Sequence, residues 1–216
     1  MIFGIQILAL CAGLVFLLSL VMNLVRKNTT LISLYLVQSL TVAVALVMLS
    51  STEQSPSLLY AALLTLGVKG IMAPTFLFRL IRKYTAHFSA ASYLSTPLSL
   101  IVLAAITAFA YSVAPALTGS GAAAVPLLFA AIFSASFLMV NRRGALSAVI
   151  GVLALENGIV LLSTILGAAH TFALEFTIGF DIAVWIAIAS AFLTMLYREF
   201  GMTDTDMRMM SHLTEE

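Results

Sequence analysis

Ser57–Leu80 reads SLLYAALLTLGVKGIMAPTFLFRL, a continuous apolar run with one ionisable group, Lys69, near its middle and Arg79 close to its end. Crossing the hydrocarbon core of a bilayer as a helix takes about 20 apolar residues. This run is too long and too uninterrupted for the short alternating strands of an outer-membrane barrel. In lipid, the backbone polar groups of each segment have to be satisfied within that segment, so a helix is the remaining choice. Outward from this run the chain repeats the pattern. Hydropathy and its polar interruptions give seven candidate spans, roughly 3–25, 30–50, 57–81, 93–116, 122–140, 145–168 and 173–197. With 62% hydrophobic and 9% charged residues over 216 positions, the composition cannot make a soluble surface. The expectation is an all-α integral membrane protein of about seven transmembrane helices, multi-pass in the cytoplasmic (inner) membrane.

Orientation follows from the basic residues. Arg26 and Lys27 lie between the first and second spans, Arg79, Arg82 and Lys83 between the third and fourth, Arg142 and Arg143 between the fifth and sixth, and Arg198 and Arg208 after the seventh. The alternate loops, around 51–57, 118–121 and 168–171, carry no Lys or Arg. By the positive-inside rule the basic loops and the C-terminus are cytoplasmic and the N-terminus is outside. The first run has no basic residue before Arg26 and is longer than the apolar region of a signal peptide, so it reads as a retained helix. Cys11 is the sole cysteine, which excludes an internal disulfide or a cysteine-ligated cluster. His87, His170 and His212 fall in loops, at a boundary or in the tail, which argues against a haem held between helices. No phosphate loop, zinc signature or nucleophile constellation is present, and no nucleic-acid partner is expected.

Three ionisable residues sit inside apolar segments: Lys69, Glu156 in VLALENGIV and Asp181 in TIGFDIAVW. Such a group costs roughly 2.5 to 3.5 kcal/mol at the bilayer centre on insertion scales, so it faces protein or water and commonly serves transport. Glu156 follows Arg143 by thirteen residues, about 20 Å along a helix. Desolvation and a cationic partner act on a carboxylate in opposite directions, and a group held between them can take up and release protons. Glu156 is therefore either a proton relay or a carboxyl hydrogen-bonded for packing alone. Asn157 is expected to make an interhelical hydrogen bond. Asp181, shallower in the seventh span, needs a partner or water, in a relay or in a structural role. Gln38 either extends a hydrated path or joins helices. Lys69 lies between Gly67 and Gly70 and ahead of Pro74, a setting that predicts close helix approach and a weak point one turn later. Its amine either exchanges protons and tunes a facing carboxylate, or holds a static ion pair, including one with a carboxylate on another subunit.

The spans also admit a parallel repeat. Arg26-Lys27, Gln38-Ser39 and Lys69 in the first three spans are matched by Arg142-Arg143, Glu156-Asn157 and Asp181 in the last three. The alternative is coincidence. The corresponding division is a three-helix unit over 1–92, a connecting fourth helix over 93–120, a second three-helix unit over 121–199 and a cytoplasmic tail over 200–216.

The stretch NRRGALSAVIGVLALENGIVLLS followed by IGFDIAVWIAIASAFLTMLYREF, from Asn141 onward, resembles the membrane subunit called hydrogenase-4 component E of formate hydrogenlyase and related group 4 nickel-iron hydrogenase complexes. Chain length, the seven-span layout and TLGVKGIMAP around Lys69 extend the likeness towards the N-terminus. The unit 121–199 is similar to the K subunit of bacterial complex I and to the corresponding subunit of Mrp-type cation/proton antiporters. In K-type subunits, glutamates of the second and third helices line a proton-conducting axis. By motif position these are Glu156 and, with Asp in place of Glu, Asp181. The resemblance implies a non-catalytic subunit with no cofactor of its own. The nickel-iron centre and iron-sulfur clusters would belong to partner subunits, and the partners would be antiporter-like and other membrane subunits together with a peripheral hydrogenase module. The rival expectations are a subunit of a multisubunit cation/proton antiporter and a passive membrane scaffold.

Overall fold

A computed structural model describes residues 2–83, 92–118, 124–142 and 144–166. These residues are almost wholly helical: α1 (Ile2–Leu24), α2 (Asn28–Glu53), α3 (Pro56–Leu64), a π-helical segment (Thr65–Met72), α4 (Ala73–Lys83), α5 (Thr96–Thr118), α6 (Ala124–Asn141) and α7 (Ala145–Ile165). The segments α3, π and α4 run on as one span. Six helices are thus long and apolar enough to cross a membrane among the described residues. They coincide with the first six expected spans to within a few residues. The seventh, 173–197, lies outside the described residues, as do Asp181, the tail 200–216 and the three histidines.

The ends of the helices follow local chemistry. Between α2 and α3 only Gln54 and Ser55 intervene. Gln54 takes the left-handed conformation (φ 50°, ψ 36°) and its N–H returns to the carbonyl of Ser50, as in helix termini closed by a left-handed residue. Ser50 Oγ donates to the carbonyl of Ser55 at 3.0 Å. Pro56 then opens α3 at a position where a missing N–H leaves no bond unmade.

α1, α2, α6 and α7 form the centre of the bundle: α6 lies along both α1 and α7, α2 lies along α1 and α7, and the α3–π–α4 span leans on α2. α5 rests chiefly on α6 and is the least buried of the six spans, whereas α2 is the most buried. Ala12, Ala45, Ala62 and Ala131 alternate with Val15, Leu46 and Leu128 in the core, the small residues letting helix backbones approach. The tightest approach is α6 on α7. A Cβ added at Gly151 would stand 2.5 Å from Met139 Cγ and 3.2 Å from the carbonyl oxygen of Ala135, and one at Gly158 would stand 2.8 Å from Ile132 Cγ1. These two glycines, two turns apart on one face of α7, set the distance at which Glu156 and Asn157 are carried.

The glycines flanking Lys69 behave differently from expectation. A Cβ at Gly67 would meet nothing within 4 Å, and one at Gly70 would make only ordinary contacts of 3.5 Å or longer. Neither requires glycine for close packing. The irregularity lies ahead of Pro74 and not after it: the backbone is π-helical over Thr65–Met72, and the N–H of Ala73 bonds to the carbonyl of Val68, five residues back.

Gly151→Val is expected to overpack the α6–α7 seam and lower stability by about 1–3 kcal/mol. Thermal unfolding in detergent would show it, and the same substitution at Gly67 should be far milder.

Candidate functional site

Lys69 projects from the π segment and Glu156 from the middle of α7. Their side chains meet in the interior, with Lys69 Nζ 2.5 Å from Glu156 Oε1 and each residue 1% exposed. Lys69 is thirteen residues into its span and Glu156 eleven into α7, roughly 20 and 16 Å by helical rise, so both lie near mid-span. Lys69 is thus held by a carboxylate of its own chain. The cost of placing either charge in an apolar interior is several kcal/mol, and each offsets it for the other.

A network of neutral polar groups continues from the residue beside Glu156. Asn157 Nδ2 donates to Ser39 Oγ at 3.0 Å and, more weakly, to Gln38 Oε1 at 3.4 Å. Gln38 Nε2 donates to Ser19 Oγ at 2.9 Å and to the carbonyl of Val15 at 3.3 Å. Ser19 Oγ in turn donates to the same carbonyl at 2.9 Å. The direction of this chain is fixed by its last acceptor. A backbone carbonyl only accepts, so the end of Gln38 facing Val15 is its NH2 group, which turns Oε1 towards Asn157 and requires an NH2 group there. Ser19, Gln38, Ser39 and Asn157 are all buried, and together they tie α1 and α2 to α7. Gln38 is engaged at both ends in joining helices. An amide NH2 does not reverse its role as a hydroxyl or a water does, so the Gln38 and Asn157 amides join helices and do not themselves pass a proton on.

One turn further along α1, Asn23 Nδ2 bonds to the carbonyls of Ser19 and Ser134, both at 2.9 Å, which fastens α1 to α6. Arg142, buried just beyond α6, donates through Nη2 to the carbonyls of Met22, Asn23 and Val25. These are terminal acceptors of α1, where a cation also complements the helix dipole. Burial, and then the neighbouring charge of Arg26, lower the pKa of the Arg142 guanidinium from its ordinary value. Arg26 is exposed and reaches Thr96 Oγ1 at the start of α5 at 3.1 Å. Asn141 completes this end of the bundle: its carbonyl accepts from Tyr93 N at 2.8 Å, its Oδ1 from Leu94 N at 3.0 Å, and its Nδ2 donates to Ser99 Oγ at 3.1 Å.

Of the residues singled out in the sequence, the structure brings Lys69, Glu156, Asn157 and Gln38 into one buried cluster, while Asp181 lies outside the described residues. Ser19, Asn23, Ser39 and Arg142 were not foreseen as a connected set. Beyond Gln6 near its start, Ser19 and Asn23 are polar residues four apart in an apolar α1, and that spacing is the signal that marks them. Among the described residues, no three His, Cys, Asp or Glu side chains are grouped so as to hold a metal ion.

No protein-family model matches this chain, and no solved structure matches it. The chain is similar to "Uncharacterized protein Rv0085" of Mycobacterium tuberculosis (strain ATCC 25618 / H37Rv), with 26% identity over 159 residues that cover 71% of this chain and 72% of that protein.

Lys69→Met is expected to cost about 3–5 kcal/mol by leaving a buried carboxylate without its cation. Lys69→Met/Glu156→Met should recover most of that loss. A double-mutant cycle on unfolding in detergent checks this, and additive effects of the two single substitutions would show that the pair is not coupled.

Proposed function

We propose that this protein is a non-catalytic membrane subunit of a group 4 nickel-iron hydrogenase or formate hydrogenlyase-type complex. In this reading it has seven spans, an external N-terminus and a cytoplasmic C-terminus in the cytoplasmic membrane. It contributes to a proton path coupled to redox chemistry on partner subunits. The observation that carries the reading is the Lys69–Glu156 pair: two titratable groups at 2.5 Å, buried near mid-span and mounted on different helices. A proton can pass from the Nζ ammonium to the carboxylate, giving an amine and a carboxylic acid with no change in net charge. Charge movement in an adjoining subunit would bias that equilibrium, which is how a redox event elsewhere would be felt here. Asn157 and Gln38 hold Glu156 in register, and Asp181 is the proposed next group along the path.

The π-helical segment that carries Lys69 supports the same reading, because such segments are frequent at functional positions. A scaffold reading draws on a different observation: the amide network and the Arg142 clamp tie four helices together whether or not a proton moves. Nickel and iron in the complex recovered in mild detergent would distinguish a hydrogenase assembly from a cation/proton antiporter.

Glu156→Gln retains size and a hydrogen-bonding end but not the titratable site, so the assembled complex should lose most of its coupled proton translocation. Glu156→Asp should keep part of it. Proton uptake by reconstituted complex at matched subunit content measures both, and an undiminished Glu156→Gln leaves the scaffold role. For the orientation, a reporter fused after Glu216 should be active in the cytoplasm, and activity only outside the cell would overturn the seven-span topology.

A further inference from the structure

The position beside Glu156 that an external cation would occupy is filled by Lys69 Nζ, 2.5 Å from Oε1, with both residues 1% exposed. A sodium ion on the same carboxylate would sit against the ammonium, and in a low-dielectric interior like charges at contact repel strongly. In the adjoining polar network, Gln38 Oε1 and Ser39 Oγ already accept from Asn157 Nδ2. Among the described residues, Glu156 belongs to no group of three potential metal-ligating side chains. A proton faces none of these obstacles, since it needs no shell of ligands. It can move from Nζ to Oε1, breaking one N–H bond and forming one O–H bond, while the pair stays neutral overall.

We propose that Lys69 is the specificity-determining residue of this site: as a tethered cation it excludes sodium from Glu156 and restricts exchange at the pair to protons. As a statement about the coupling ion, this rests on the relay reading of Glu156. Its test reads the resting site and not turnover, so a Glu156→Gln complex that still translocates would remove the relay and leave the sodium result standing.

The full-length protein is purified in detergent, and its thermal unfolding is followed in sodium chloride and in choline chloride at matched ionic strength and alkaline pH. The wild type and Glu156→Gln should respond alike to the two salts. Lys69→Met should gain a saturable, sodium-specific rise in Tm, and Lys69→Met/Glu156→Gln should lose that gain. A sodium-specific stabilisation of the wild type that disappears in Glu156→Gln would overturn the proposal, because sodium would then reach the carboxylate with Lys69 in place. A folded Lys69→Met with no sodium response would overturn it as well, since removing the tethered cation would not have opened the site. Should Lys69→Met fail to fold, the comparison of wild type with Glu156→Gln still decides whether sodium reaches Glu156.

Discussion

One lysine amine and one carboxylate, each unaffordable alone in an apolar interior, constrain the arrangement of this bundle. Lys69 and Glu156 come from spans far apart in sequence, and burying either without the other costs several kcal/mol. That requirement fixes the rotation of α7 and of the π segment about their axes far more sharply than apolar packing does, because one aliphatic contact can be exchanged for another with little loss. The Gly151 and Gly158 contacts then set how deeply α7 sits against α6.

The same logic recurs at the end of the bundle where Arg142 lies. A guanidinium is buried there against terminal carbonyls of α1, Asn23 joins α1 to α6, and Asn141 holds the chain entering α5. Between this clamp and the ion pair runs the Ser19–Gln38–Asn157 network, with donor directions set by the carbonyl of Val15. The polar groups of the described residues thus form a connected skeleton inside an apolar shell. Amides in that skeleton contribute geometry, and the Lys69–Glu156 pair is its charged member.

Much of this was legible in the sequence. Span positions follow from apolar run length, which is nearly sufficient where lipid is the solvent, and six observed helices coincide with expected spans. Lys69, Glu156, Asn157 and Gln38 stand out because polar groups are costly at that depth. Their pairing was not legible, since nothing in the local spacing around residue 69 refers to residue 156, and a static pair with a carboxylate on another subunit is equally compatible with that spacing. Gly67 and Gly70 pointed to close packing that the structure does not contain, because small residues permit an approach without compelling one. The π turn was missed because a shift from four- to five-residue bonding leaves no compositional trace. Arg142 read as a topological charge, and its grip on α1 depends on how α6 is placed.

Lys69 and Glu156 touch within one chain. An apolar carbodiimide tests it directly, by activating the buried carboxyl for attack by whichever amine lies against it. Mass spectrometry of the treated protein should find an isopeptide bond joining the peptides that contain Lys69 and Glu156, absent from Lys69→Met and Glu156→Gln. Activated Glu156 recovered only as its acylurea, with the Lys69 amine unmodified or joined to a different carboxylate, would show that the two side chains do not meet.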